Sequence, residues 1–240
     1  MRDFIKATLN AGLQITLSLN NGKAELFARH SRGAGGDISI GADLLSERIL
    51  VESLSAFGNI DSEEAGFIDN KKERTIIIDP LDGSDNFLSQ IPYYGASVAM
   101  RAKNGASIVG IIMNFCNLSA VVHFEGQNFY GNLAQEFESF NKAILNNPAK
   151  CGIFEGAYRN PRICKILNEN NIKFRATGAL ALSLGLSEKV NFVLFDGKKR
   201  HYDYEAGFLI AQNLYKIEKQ NLVLISKDKQ LFDRIAQILF

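Results

Sequence analysis

The stretch Thr75-Ile76-Ile77-Ile78-Asp79-Pro80-Leu81-Asp82-Gly83-Ser84-Asp85-Asn86-Phe87 decides how the rest of the chain is read. Its first four residues are short, β-branched and apolar, the pattern of a buried strand. That strand runs directly into two acids three positions apart. Pro80 locks φ and lacks a backbone donor, and Gly83 tolerates a tight backbone. Such a turn aims the Asp79 and Asp82 carboxylates and the Leu81 carbonyl into one small space. Hard divalent cations take oxygen clusters of this kind, and like charges so close repel unless a cation stands between them. A helix starting near Gly83-Ser84 would also direct free N–H groups at a phosphate. The same residues have a plainer reading, because Asp-Pro and Asp-Gly form turns readily and acidic loops are commonly just solvated.

On the N-terminal side, Ile5, Leu9 and Leu13 recur at i+4 and predict an opening helix. Gly33-Ala34-Gly35-Gly36 breaks the chain into a loop. Leu45, Ile49, Leu50 and Leu54 give a second amphipathic helix that stops near Gly58-Asn59. An acidic loop with Asp61, Glu63 and Glu64 follows. On the C-terminal side, residues 96–100, 107–113 and 120–124 are β-rich and separated by turn signals at Asn104-Gly105 and Gly126, as in an antiparallel meander. The second half alternates. A helix is predicted from Asn160-Pro161 through Ile166, another over 179–186, and a strand over 192–195. Asp203 opens an apolar helix that includes 206–211. A strand over 222–225 leads to a final helix capped by Ser226, with Leu231, Phe232, Ile235 and Leu239 on one side. A seam near Asn146-Asn147-Pro148 would divide the chain into lobes 1–146 and 147–240, closely packed and mixed α+β in class.

Composition excludes several alternatives. The 240 residues are 46% hydrophobic and 22% charged, enough to bury a real core, and the formal net charge is +1. No long-range field favours nucleic acid or an anionic membrane, so an anionic ligand must be met by a local site. No run approaches the roughly 18 apolar residues a spanning helix needs. The N-terminal residues, with Asp3 and Lys6, do not read as a signal peptide. Cys116, Cys151 and Cys164 are odd in number and form no C-x-x-C pair, which fits reduced thiols in a cytoplasm better than a disulfide framework or a zinc site. An EF-hand loop fails at Leu81 and Phe87. The glycine run at 33–36 lacks the Lys and Ser/Thr of a P-loop, and neither H-E-x-x-H nor G-x-S-x-G occurs. His30, His123 and His201 are isolated and read as surface or satisfied histidines.

Four ordered motifs together resemble the inositol monophosphatase family, the magnesium-dependent, lithium-sensitive phosphatase superfamily that also contains fructose-1,6-bisphosphatases. The central one is Asp79-Pro80-Leu81-Asp82-Gly83-Ser84 with Asn86-Phe87, continued by residues 91–99. Ser62-Glu63-Glu64-Ala65-Gly66 is similar to the upstream acidic motif. Asp37-Ile38-Ser39-Ile40-Gly41-Ala42-Asp43 is similar to the early D-x-V-T-x-x-D stretch, and Tyr202-Asp203-Tyr204-Glu205-Ala206-Gly207 to the late W-D-x-A-A-G motif.

The resemblance implies an alternating αβαβα layered sandwich of the sugar-phosphatase type, usually a homodimer. It implies that Glu63, Asp79 and the Leu81 carbonyl hold one Mg²⁺, that Asp79, Asp82 and Asp203 hold a second, and that a weaker third ion sits near Glu63. Backbone N–H groups of Gly83 and Ser84 would grip the phosphate. Asp43 and the Ser84 hydroxyl would orient or deprotonate the attacking water, with no covalent phosphoenzyme. Gly178 and Ala179 align with a substrate-lining segment. Asp196, seven residues before Asp203, stands where a hydroxyl-binding Glu is usual. The implied activity is metal-dependent hydrolysis of a small polyol or sugar phosphate. The alternatives are a fructose-1,6-bisphosphatase or a 3′,5′-bisphosphate nucleotidase on the same core, and a non-catalytic dimeric scaffold that senses metal or ligand. Departures cluster on the substrate side: Arg32 for a Lys, Ile40 for a Thr, Tyr202 for the Trp, Ala211-Gln212-Asn213 for a Gly-rich turn, and a short, divergent 124–172. Lys198-Lys199-Arg200 reads as a solvated loop.

Overall fold

In the computed structural model, which describes residues 1–142, 148–197 and 200–240, the chain opens with α1 (Arg2–Leu19), the ribbon strands β1 (Arg29–Arg32) and β2 (Ile38–Ile40), and α2 (Gly41–Leu54). Next come β3 (Asn59–Ser62), β4 (Gly66–Ile68), β5 (Thr75–Asp82) and the short α3 (Ser84–Leu88). The meander is β6 (Gly95–Arg101), β7 (Ser107–Asn114), β8 (Ser119–Phe124), β9 (Gln127–Asn132) and β10 (Asn141–Lys142). The C-terminal half adds β11 (Gly152–Glu155), α4 (Pro161–Glu169), β12 (Phe174–Arg175), α5 (Leu180–Gly185), β13 (Val193–Asp196), α6 (His201–Ile210), β14 (Tyr215–Lys219), β15 (Leu222–Ser226) and α7 (Lys229–Leu239).

Eight strands form one sheet in the order β10-β9-β8-β7-β6-β5-β3-β4, and five form another in the order β12-β11-β13-β15-β14. In the large sheet only the β3–β5 pair is parallel, and the meander is antiparallel as its turn signals predict. Between β8 and β9 the two loop residues Glu125 and Gly126 both have positive φ, the tight primed hairpin geometry that matches strand twist.

The period-2 alternation of side chains sorts the layers. Ile76 and Ile78 on β5, Val98 and Met100 on β6, and Ile111 and Met113 on β7 face the cluster built by α1 and α2. The intervening Ile77, Ala99 and Ile112 face the other way, onto Ala179 and Leu182 and onto Ala206 and Ile210 of α6. The outer side of α5 and α6 packs through Leu184 and Ala211 on Val193, Phe195, Val223 and Ile225 of the small sheet. Leu194 and Leu224 point to the far side, where α4 and α7 cover them with Leu167 and Ile235. The result is an αβαβα sandwich whose central helical layer comes from the C-terminal half.

Two local expectations differ. The last helix is capped by Asp228, whose carboxylate accepts from the Gln230 and Leu231 N–H groups, while the Ser226 hydroxyl bonds the Asn191 carbonyl. An aspartate two residues closer to the helix reaches its free donors, and Ser226 is still in β15. Asp203 does not open α6 but lies in its first turn, because the helix begins at His201. Asn146 and Asn147, where the lobe boundary was expected, lie outside the described residues. No described helix is long and apolar enough to cross a membrane, and the three cysteines are free.

Candidate active site

Burial makes β5 the floor of the site. From Ile76 to Asp82 every residue of this strand is buried, which carries two acids into the interior. Its pairing with β6 is regular to Asp79–Ser97 and resumes at Asp82–Gly95, so the Pro80 segment is a bulge. A bulge suits a proline, which cannot donate to the ladder. Gly83 then adopts φ +91°, and a Cβ there would lie 2.9 Å from the Tyr93 carbonyl oxygen. Only glycine turns the chain here into α3.

The Ser84 hydroxyl, at the start of α3, lies 2.7 Å from Asp43 Oδ1 and 2.9 Å from the Leu81 carbonyl oxygen, both acceptors for its single proton. Asp43 is the third residue of α2, and its other oxygen accepts from the Ile40 N–H at 2.7 Å. This satisfies the Ile40 N–H at the start of α2 and fixes the carboxylate toward Ser84. Glu63 enters from the loop after β3, held by its N–H to the Ile78 carbonyl (3.0 Å) and by the Gly35 N–H to its own carbonyl (2.6 Å). Asp203 arrives on the first turn of α6, which lies on the inner face of the large sheet.

Three of these acids converge. Glu63, Asp79 and Asp203 are all buried and each offers an oxygen within 4.8 Å of the others. Asp82 stands beside this group, with Oδ2 accepting from the Leu182 N–H at the α5 end of the cleft (2.9 Å). Burial and mutual repulsion hold the protons on. Glu63 is pushed up to about 8 by burial, with Arg200 working against the shift and Asp203 adding to it. Asp79 lies well above its ordinary value through burial and then Glu63 and Asp82. Asp82 is raised by burial despite the Leu182 N–H, and Asp203 adds to the rise. Asp43 is raised by burial as well. A buried, all-oxygen donor set in which Glu63, Asp79 and Asp82 resist ionisation fits a hard divalent cation.

The cleft above has a volume of about 580 Å³, and its lining includes Asp43, Leu81, Asp82, Gly83, Ser84 and Gly178. A second hollow of about 460 Å³ adjoins it, shares Asp82, Gly178, Arg200 and Asp203, and adds Ala179 and Asp196. All the residues expected at the site therefore border these two joined spaces. Gly178 (φ +81°) gives its N–H to Glu155 at 2.9 Å, and Asn86 ties the turn to the Thr177 carbonyl at 2.8 Å.

Sequence reading missed two participants. Glu155, buried at the end of β11, accepts from the Ser183 hydroxyl at 2.5 Å and from the Thr177 hydroxyl, and so braces the 177–183 turn. Arg200 was expected in a solvated loop. It is instead half-buried in the acidic cluster, 2.5 Å from Glu63 Oε1, 2.7 Å from Asp37 Oδ2 and 3.2 Å from each Asp203 oxygen. Its place one helical turn before Asp203 was the available signal. Lys198 and Lys199 lie outside the described residues. His201 is satisfied by Asp61 (2.8 Å), which also accepts from the Tyr202 hydroxyl (3.1 Å), so the tyrosine in place of Trp is anchored to the start of the acidic loop.

Known proteins resemble this chain in sequence and in fold. The chain is 36% identical over 218 residues to the fructose-1,6-bisphosphatase/inositol-1-monophosphatase of Thermococcus kodakarensis, covering 82% of this chain and 81% of that protein. It is 43% identical over 70 residues to the fructose-1,6-bisphosphatase of Pyrococcus furiosus, a match spanning 29% of this chain and 28% of that protein's length. The fold superposes on the crystal structure of the extragenic suppressor protein suhB from Bartonella henselae with a TM-score of 0.78 and 19% identity, covering 98% of this chain and 97% of that one. With residues 5–214 matching the family's sequence model and the layered fold in agreement, the chain belongs to the inositol monophosphatase family.

Proposed function

We propose that this protein hydrolyses the phosphate monoester of a small polyol or sugar with the help of Mg²⁺. The observation that carries the reading is the convergence of three buried carboxylates, Glu63, Asp79 and Asp203, at the floor of an open cleft beside the 79–84 turn. Those three, with Asp82 and the Leu81 carbonyl, would hold two or three ions. A bound divalent ion supplies Lewis-acid charge and lowers the pKa of water.

The chain's own residues then divide the work. The Gly83 and Ser84 N–H groups bind phosphate oxygens at the positive-φ turn. The Ser84 hydroxyl orients the attacking water, and Asp43, desolvated and bonded to Ser84, takes its proton. Glu63 is the third residue proposed at the reacting centre, within 4.8 Å of Asp79 and Asp203. Asp196, in the adjoining hollow with Gly178 and Ala179, accepts from hydroxyls of the leaving group. The reading includes a cytoplasmic homodimer with reduced cysteines.

The test is phosphate release from a panel of inositol 1-phosphate, glycerol 2-phosphate, fructose 1,6-bisphosphate and adenosine 3′,5′-bisphosphate, with Mg²⁺ and with EDTA. Release that depends on Mg²⁺ supports the proposal. A preference for one of the bisphosphates would move the assignment to that branch. No release from any substrate would leave the scaffold reading.

A further inference from the structure

The donor set that suits a divalent ion already has a cation against it. Arg200 sits at the N-cap of α6, one turn ahead of Asp203. Four contacts tie its guanidinium to acids: Nη1 to Glu63 (2.5 Å) and Asp37 (2.7 Å), and Nε and Nη2 each to one Asp203 oxygen (3.2 Å). A guanidinium is a rigid planar fork without acceptors, so these contacts engage both Asp203 oxygens and one of Glu63 at once. Asp79 is different, because its Oδ1 takes the Leu81 N–H and Arg200 does not reach it. An oxygen can hold a donor and an ion together, but two positive charges only a few ångströms apart repel strongly in a partly buried site. Asp37 supplies the remaining clue. Its side chain is 80% exposed, outside the buried group, and it shares Nη1 with Glu63.

We propose that Arg200 competes with the divalent ion for Glu63 and Asp203, and that Asp37 is the anchor onto which its guanidinium withdraws when the ion binds. Arg200 is then a positioning residue that keeps the acidic cluster assembled without metal and sets how tightly metal is held. The proposal rests on the metal-dependent reading above and adds a competitor of opposite effect to its ligands. It makes paired predictions of opposite sign. Removing Arg200 frees the carboxylates and tightens ion binding. Removing Asp37 deprives the guanidinium of its retreat and weakens ion binding, although Asp37 itself is exposed and outside the buried triad.

The experiment is Mn²⁺ titration of the metal-stripped full chain by electron paramagnetic resonance, without substrate, on wild type, Arg200→Gln, Arg200→Lys and Asp37→Asn. Arg200→Gln should bind Mn²⁺ about ten- to a hundredfold tighter, the scale of a lost charged hydrogen bond. Arg200→Lys should tighten binding less, and Asp37→Asn should weaken it several-fold. Disruption of the fold would weaken every variant, so the opposed signs separate competition from damage. If Arg200→Gln unfolds by circular dichroism, Arg200→Lys with Asp37→Asn carries the comparison. Unchanged or weaker binding in the folded Arg200 variants, with wild type binding Mn²⁺, overturns this inference alone. A wild type that does not bind Mn²⁺ overturns it together with the metal-dependent reading.

Discussion

Glu63 allows the electrostatics of the cluster to be read as stability. Its pKa rises from an ordinary 4.5 to about 8 in the folded protein, chiefly through burial. The folded state therefore binds a proton that the unfolded chain has released, and stability falls as pH rises through that window. The contribution is fully present below about pH 4.5 and is lost once pH has passed about 8. Each unit is worth 1.36 kcal/mol, so the shift corresponds to about 5 kcal/mol, a large part of the 5–15 kcal/mol that holds a typical domain folded. Asp79, Asp82, Asp43 and Glu64 are raised in the same direction and steepen the fall. Urea unfolding at a series of pH values between about 5 and about 9 in EDTA should show a midpoint that declines with pH. Excess Mg²⁺ should restore it at the alkaline end, since the ion binds the ionised carboxylates and only in the folded chain. Glu63→Gln, a permanent mimic of the protonated form, should flatten the EDTA profile and blunt the rescue by Mg²⁺. A midpoint that is flat or rises with pH in EDTA, or a Glu63→Gln profile as steep as wild type, would refute the reasoning.

Ser84→Ala should lower kcat by roughly 10²–10⁴, the usual size of a lost orienting or acid–base contact, with Mn²⁺ affinity unchanged; steady-state kinetics beside a metal titration checks both. Asp196→Ala removes one or two hydrogen bonds to neutral hydroxyls, about 0.5–1.5 kcal/mol each, so kcat/KM for inositol 1-phosphate should fall several-fold to a hundredfold. Hydrolysis of p-nitrophenyl phosphate should hardly change, and equal losses on both substrates would contradict a role in hydroxyl recognition. Gly83→Ala places a Cβ 2.9 Å from the Tyr93 carbonyl oxygen at φ +91°. It should cost about 1–3 kcal/mol in urea unfolding and reduce turnover, and a variant as stable as wild type would show that the turn does not need glycine.

What the sequence determined by itself is mostly local. The Thr75 to Ile78 run announced a buried strand because apolar β-branched residues at every position leave no solvent face. Asp79-Pro80-Leu81-Asp82-Gly83-Ser84 announced a tight turn because proline and glycine act on their own backbone angles, whatever surrounds them, while the bulge at Pro80 came from the pairing of β5 with β6. The meander was legible from its turn residues. β1 to β4, β9 to β12 and β14 were not. The outer strand β14, Tyr215-Lys216-Ile217-Glu218-Lys219, carries the polar pattern of an edge and becomes a strand through pairing with β15. Asp228 rather than Ser226 caps α7 because two nearby candidates compete, and the strand end decides between them. The site divides in the same way. Its carboxylates could be named from motifs, but their convergence depends on α6 lying flat against the large sheet, where Gly110 leaves Ala206 room to approach. The placement of Arg200 among Glu63, Asp37 and Asp203, and the turning of Asp82 toward the Leu182 N–H, were decided only by the tertiary structure. A charge or a hydrogen bond responds to whatever lies within a few ångströms in space, and distance along the chain carries little of that information.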